Sequence, residues 1–327
     1  MSASSIRIGT RGSPLALAQA HETRDRLAAA HPALAEPGAI EIVVIKTTGD
    51  SVQDRPLAQI GGKGLFTKEI EEALIDGSID IAVHSMKDVP TWLPNGLGIA
   101  CILPREDPRD ALFTRDGAAS LADLPEGAVL GTSSLRRQAQ ALAARPDLRV
   151  VSIRGNVDTR LTKLADGVVD ATMLAVAGLR RLGKADRLQA VLAPTEMLPA
   201  VAQGAVGIEA RLDDARVAEL LAPLACAETT TRVEAERALL AELDGSCRTP
   251  IAALATLDGA GGMHLDALVA GPDGAEVHRA ARTGPAGEAA AMGRDAGQEL
   301  RGRAGPILAA LAESAGENGG GGAWPAG

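Results

Sequence analysis

The stretch HSMKDVP at residues 84–90 delivers His84, Ser85, Lys87 and Asp88 just past a β-branched run and closes on Pro90. A carboxylate beside a lysine at that place suits an acid poised over a bound anion, because open α/β folds take ligands at the carboxyl ends of their strands. More cations fall at other turns between strand and helix: Arg11, Lys63, Lys68, Arg136, Arg137, Arg154 and Arg160. Guanidinium groups grip carboxylates and phosphates through paired hydrogen bonds. Their concentration on a chain of net charge −9 points to a small polyanion held at several points. Asp88 is the one carboxylate placed among these cations at a strand end. It is the candidate to hand a proton to a leaving amine, or to stabilise a cation forming on the substrate. Taken singly, each arginine is more commonly explained by a surface ion pair, and His84 by a hydrogen-bonded structural role; for the set of arginines, a binding cleft is favoured. Cys247 stands in a tight loop, GSCRTP, beside Arg248, a setting in which a thiol can act as a nucleophile, although taken alone it reads more commonly as structural or incidental. Phe66 follows a glycine turn and either stacks on a flat ligand or anchors the next helix.

Several chemistries are excluded. GGKGLF (61–66) lacks the spacing of a phosphate-binding P-loop, no G-x-G-x-x-G follows a strand, and no His, Cys or carboxylates stand at metal-ligand spacing. Two Phe, two Trp and no Tyr leave almost no platform for base stacking, and the net acidity also argues against nucleic acid. No apolar run reaches the ~18 residues of a membrane span, and no signal peptide precedes Ile6. Three cysteines, an odd number, fit a reducing compartment better than a disulfide framework. The expectation is a cytoplasmic protein.

The elements that must position these residues are written as a repeat. IRIGTRGSPLALAQA (6–20) reads as strand, Gly-Thr turn and a helix opened by Ser13 as N-cap with Pro14 at its first position. AVLGTSSLRRQAQAL (128–142) reads the same way. A β-branched run follows in each half, EIVVIKTTGD (41–50) and RVVSIRGN (149–156). Amphipathic helices over Leu65–Leu74 and Val157–Leu164 then lead through Asp-Gly into strands, DGSIDIAV (76–83) and DGVVDATM (166–173). Two such units predict two doubly wound α/β domains with a ligand cleft between them. PREDPRDALF (104–113) reads as the crossing linker, and TEMLPAVAQGAVGIEAR (195–211) as a return crossing followed by a strand. Beyond about residue 223 a helix, three alternating runs split by DGAGG and GPDG, and one final helix over Glu288–Ala315 predict a small α+β domain with a three-stranded antiparallel sheet. The expected domains are 1–104 with 203–222, 105–202 and 223–315, followed by a Gly-rich tail over 316–327.

The motifs HSMKDVP (84–90), GTRGSPLALAQ (9–19), GGKGLFTKE (61–69), PREDPRDA (104–111), GTSSLRRQ (131–138), IRGNVDTRL (153–161) and LPAVAQGAVGIEAR (198–211) together resemble the porphobilinogen deaminase, or hydroxymethylbilane synthase, family. The resemblance runs in order over about residues 5–315. It implies two lobes like those of periplasmic binding proteins, and a third domain whose loop cysteine, here Cys247, holds a dipyrromethane cofactor by a thioether. It implies a transferase that joins four porphobilinogen molecules head to tail with loss of ammonia, and then releases hydroxymethylbilane. Each added pyrrole brings an acetate and a propionate, the polyanion that the arginines call for. On this resemblance Asp88 is catalytic. Lys87, Ser134, Arg136, Arg137 and Arg160 hold cofactor carboxylates, with the backbone N–H groups of Thr132 and Ser133. Arg11, Ser13, Gln19 and Arg154 take the incoming porphobilinogen, Phe66 flanks the rings, and residues 49–62 form a lid. The family's monomeric state carries over as an expectation. GSC in place of the commoner GGC before the cysteine is a departure, and Cys101 has no counterpart role. The competing reading is a non-catalytic two-lobed anion-binding or ligand-sensing protein, which needs neither Asp88 nor Cys247.

Overall fold

The computed structural model describes residues 5–51, 67–245 and 249–316. Its first sheet holds β1 (Ile6–Thr10), β2 (Ile40–Val44), β3 (Ile81–Ser85), β4 (Leu97–Ile102) and β10 (Val206–Arg211) in the order β2-β1-β3-β10-β4. β10 runs antiparallel to both neighbours, while β1, β2 and β3 are parallel. Helices α1 (Pro14–Ala30) and α7 (Ala215–Leu221) cover one face, where Ile6, Ile8, Val83 and Ile208 meet Leu27 and Val217. Helix α3 (Lys68–Ile75) covers the other with Ile70 and Leu74 against Ala82; α2 (Thr48–Ser51) is a single turn.

The second sheet repeats this plan. β5 (Asp110–Thr114), β6 (Val129–Gly131), β7 (Arg149–Val151), β8 (Ala171–Ala175) and β9 (Ala190–Val191) stand in the order β7-β6-β8-β5-β9, with β5 the antiparallel member. Helix α4 (Leu135–Ala144) lies on one face; α5 (Val157–Ala165) and α6 (Val176–Arg181) lie on the other. Detailed devices recur with the order. A Cβ on Gly9 would come within 2.3 Å of Ile79 Cδ1, and one on Gly131 within 2.9 Å of Val169 Cγ1, so both first strands need glycine where the third strand's entry packs. Asp80 accepts from Arg7 N at 2.7 Å and Asp170 from Val129 N at 2.8 Å, locking the same two strands in each lobe. Ser13 caps α1 by accepting from Ala16 N at 3.2 Å, and Ser134 caps α4 by accepting from Arg137 N at 3.5 Å.

Each sheet lends the other its antiparallel strand. The chain leaves the first sheet after β4, supplies β5 to the second, and returns to the first as β10. The segment read as a crossing linker is therefore strand from Asp110 onward. Arg105 and Ala202, one on each crossing, are fastened to the same carboxylate. Glu236 of α8 (Ala227–Glu242) accepts from Arg105 Nη1 at 2.6 Å, Arg105 Nη2 at 3.0 Å and Ala202 N at 2.6 Å. Ala202 sits at φ +56°, a left-handed conformation that costs a non-glycine residue about 1–2 kcal/mol and persists only where its surroundings impose it.

The third sheet is an antiparallel meander of β11 (Ile251–Leu257), β12 (Gly262–Ala270) and β13 (Val277–Pro285). Its inner face packs Ala253, Leu265 and Val269 against Val233 and Leu239 of α8 and Met292 and Ala296 of α9 (Ala289–Arg303). The expected single closing helix is two, α9 and α10 (Gly305–Gly316), broken at Ala304. Pro306 is the reason: it has no N–H to return to residue 302, and its ring clashes with that carbonyl. The fold is thus two α/β lobes of one strand plan plus a small α+β unit.

Candidate functional site

Two groups of side chains gather at the carboxyl ends of the parallel strands. The first belongs to the first lobe. Arg11, Ser13 and Gln19, from the β1–α1 turn and α1, line a cavity of about 70 Å³ together with His84, Ser85 and Asp88 from the end of β3. β3 places them there because its apolar run ends at His84 and the chain tightens into a single 3-10 turn over Met86–Asp88. Gln19 and Ser85 are locked to one another: Gln19 Nε2 donates to Ser85 Oγ at 2.9 Å, and Ser85 Oγ donates to Gln19 Oε1 at 3.1 Å in the alternative sense. Arg237 of α8 holds the turn from below, donating to the carbonyls of Val89 at 3.0 Å and Pro90 at 2.6 Å.

The second group is cationic and centres on Asp110, at the start of β5. Asp110 Oδ2 accepts from Arg136 Nη2 at 2.8 Å; its Oδ1 accepts from Arg137 Nη2 at 2.7 Å and from Gln203 Nε2 at 2.9 Å. The other terminal nitrogens of the arginines donate to Leu198 O at 2.7 Å and Met173 O at 2.9 Å. Asp88 is therefore not the one carboxylate among the cations. Asp110 lies between two of them, hidden from sequence reading inside a segment read as linker. Burial by itself would raise Asp110, but the charges of Arg136 and Arg137 outweigh it and hold this carboxyl well below the usual range. Lys87 reaches the same group, its Nζ 3.4 Å from Gln203 Oε1. By surface area Lys87 is only half-buried, yet protein surrounds its ammonium, and desolvation lowers its pKa more than the charge of Asp88 restores it. Burial pulls Arg160 down to about 10, with Arg137 and Arg154 adding like-charge repulsion.

Four cations, Lys87, Arg136, Arg137 and Arg160, thus share a neighbourhood with a single fully buried carboxylate. Their charge is under-compensated. Nε of Arg136 and Nε of Arg137 are buried and reach no hydrogen-bond partner among the described residues. A buried N–H left unsatisfied costs about 1–3 kcal/mol, and more when charged, so such a cluster is built for an anionic ligand. A dipyrromethane bearing carboxylates fits these donors. Of the backbone donors expected to help, Thr132 N is already committed to Val151 O at 2.9 Å, because the strand pairing continues one residue past β6. Ser133 stands at the same turn, with Oγ donating to Ile153 O at 2.6 Å. Arg154 lies on the loop after β7 beside Lys163, whose Nζ donates to Arg154 O at 3.3 Å. Phe66, Cys247 and nearly all of the expected lid lie outside the described residues. Gln203 and Asp110 are the members of the two groups that sequence reading missed. Gln203 was visible only as part of a motif, without a local pattern to mark it.

The family profile described as porphobilinogen deaminase, dipyromethane cofactor binding domain, matches residues 6–219, and that described as porphobilinogen deaminase, C-terminal domain, matches residues 230–302. The chain belongs to the porphobilinogen deaminase family. Porphobilinogen deaminase from Paracoccus denitrificans (strain Pd 1222) is 62% identical over 91% of this chain and 94% of its own. The chloroplastic porphobilinogen deaminase of Oryza sativa subsp. japonica is 59% identical over 92% of this chain and 84% of its own. The periplasmic aliphatic sulphonate binding protein SsuA from Escherichia coli superposes with a TM-score of 0.40 at 18% identity, covering 74% of this chain and 71% of that one, a likeness too loose to argue from. Both groups described above fall within the segment matched by the cofactor-binding profile, and position 247 falls within the C-terminal match.

Proposed function

We propose that this porphobilinogen deaminase condenses four porphobilinogen molecules head to tail into hydroxymethylbilane, with loss of four ammonia, on a dipyrromethane attached to Cys247. The observation that carries the assignment of roles is the under-compensated cationic group around Asp110, whose buried guanidinium Nε atoms have no partner among the described residues. When bound, the dipyrromethane supplies the free pyrrole position on which the chain grows. Arg136, Arg137, Lys87, Arg160 and the Ser134 turn would hold its carboxylates. Asp110 keeps the two arginines side by side and fixed, so a ligand carboxylate meets donors already oriented and little ordering is lost on binding.

Asp88 acts from the other group. It shares a cavity with Arg11, Ser13 and Gln19, which we assign to the incoming porphobilinogen, with Arg154 contributing from the second lobe. There its carboxylate stabilises the positive charge that develops on the pyrrole as the amine departs, and it relays the proton that carbon–carbon bond formation releases. A general acid–base group so placed contributes about 10²–10⁴ in rate. Among the described residues no helix is long and apolar enough to cross a membrane. Cys101 and Cys226 are free thiols, which supports a reducing cytoplasm as the enzyme's location. We propose that it acts there as a monomer.

The intact mass of the purified chain tests this reading against a simple anion-binding protein. An excess equal to two linked pyrroles, lost in Cys247→Ser, is expected; the bare polypeptide mass in the wild type would refute it.

A further inference from the structure

The pairing of β3 with β10 buries His84 and Glu209 on the sheet face turned toward α3, with Nε2 3.0 Å from Oε2 and side chains 4% and 0% exposed. His84 stands opposite Gly207, and Glu209 opposite Ala82. The second sheet supplies a direct comparison. At the matching places it has Leu174 opposite Ala111 and Phe113 opposite Thr172, and both large side chains pack into an apolar cluster with Leu161 and Leu164 of α5. Packing of this fold is therefore satisfied by hydrocarbon at these two positions. The polar pair is also poorly served as a structural contact. Although it stands at ion-pair distance, His84 Nε2 and both carboxylate oxygens of Glu209 lack hydrogen-bond geometry to any described residue. Taking two charges out of water is offset only when geometry is good and the remaining hydrogen bonds are made. The first lobe thus carries a burden that its sister does without.

What distinguishes the two places is the cavity. His84 lines the space of about 70 Å³ that also holds Ser85 and Asp88. Its walls bring Ser85 and Asp88 beside His84, all groups from which an ammonium N–H can find an acceptor. We propose that His84, backed by Glu209, forms the floor of the leaving-amine site: the cavity takes the aminomethyl group of porphobilinogen as its ammonium and holds the ammonia as it departs. The inference rests on the reading under Proposed function. The carbon–nitrogen bond breaks with its electron pair on nitrogen, which leaves as NH3 while the positive charge stays on the pyrrole methylene. The proton expelled when the new carbon–carbon bond forms passes through Asp88 to that NH3, which departs as NH4+. The charge of Glu209 favours the ring tautomer protonated on Nε2, leaving Nδ1 with a lone pair able to accept from an ammonium N–H. The other charged groups around the pair are Glu71 of α3, Arg237 of α8, and Arg11 and Asp88 at the cavity.

The test uses the holoprotein with ammonium, methylammonium and tetramethylammonium chlorides, matched against sodium chloride at equal ionic strength. Ammonium and methylammonium should inhibit competitively with porphobilinogen, and methylammonium should raise the melting temperature above the sodium control, while tetramethylammonium does neither. In Glu209→Gln the inhibition constant for methylammonium should rise at least tenfold and its thermal shift should vanish. The double variant His84→Leu/Glu209→Phe, which copies the second sheet, should melt at or above the wild-type temperature and lose amine inhibition. Equal inhibition by all three cations, unchanged inhibition in Glu209→Gln, or a double variant that fails to fold would each overturn the proposal. A wild-type holoprotein that does not consume porphobilinogen would instead sink the enzymatic reading itself.

Discussion

The two lobes share one plan of strands and divide the chemistry between them. Strand register makes Ala82 equivalent to Thr172, because each stands opposite the glycine that ends the first strand's core, Gly9 or Gly131. Lys87 and Asp88 then correspond to Ala177 and Gly178, the start of an apolar helix in the second lobe. Conversely, Asp110 corresponds to Val206, since Asp110 pairs with Ala175 and Val206 with Ser85. On the proposed assignment the first lobe carries the acid, Asp88, and the amine cavity, and the second carries the buried arginine pair with its carboxylate. A duplicated scaffold sets where functional side chains can stand, at strand ends and helix starts. Which side chains stand there differs even where the position is buried: Val206 packs in the core of the first lobe, and Asp110 meets two arginines in the second.

The sharpest break in this comparison is Asp88→Ala. It should leave the fold intact and cut turnover by about 10²–10⁴. Steady-state kinetics check it, and near-normal kcat would remove the first lobe's claim to the acid. Next in size is Asp110→Asn. It strands Arg136 and Arg137 in the interior without their counter-charge, a loss of about 3–5 kcal/mol measurable by urea unfolding. Its pH dependence follows from the depressed carboxyl. The contribution of Asp110 is fully present above the ordinary unfolded value of about 4 and fades only as pH falls toward the lower folded value. The stability gap between wild type and Asp110→Asn should thus hold from neutral pH to about 4 and close in stronger acid. Val206→Ala, at the equivalent place in the first lobe, should show no such closing.

Gly131→Ala should cost about 1–3 kcal/mol, because its new methyl meets Ile153 and Val169 together. Gly9→Ala should cost less, since only the flexible end of Ile79 lies under 3 Å from the new atom. Thermal melts compare the two, and a reversed order would contradict the account of the wedge. Smallest are the caps: Ser13→Ala and Ser134→Ala should each lose about 1 kcal/mol by urea unfolding.

Local signals explain what was legible in the chain. Ser13 followed by Pro14 announces α1, and Asp-Gly before an apolar run announces β3 and β8, because caps and turns act over three or four residues. HSMKD could be read as a strand end for the same reason. Asp110 could not be connected to its partners, since 26 and 27 residues separate it from Arg136 and Arg137 and only the sheet order joins them. The link between His84 and Glu209 spans the return crossing and leaves no periodic trace in the sequence. Gly305-Pro306 was a stop signal in plain view, overridden by the long alanine-rich run around it.

The exchange of antiparallel strands also governs how the polypeptide matures. As the ribosome works from the amino terminus, β3 and β4 emerge with a gap between them that β10 fills only after the whole second sheet has been made. Until residue 211 is available the first lobe has two open edges exposed to mispairing, so it is not an independent folding unit, whereas β5 to β9 of the second sheet follow one another in the chain. A chain stopped just before β10 should then be an aggregation-prone fragment rather than a half-enzyme.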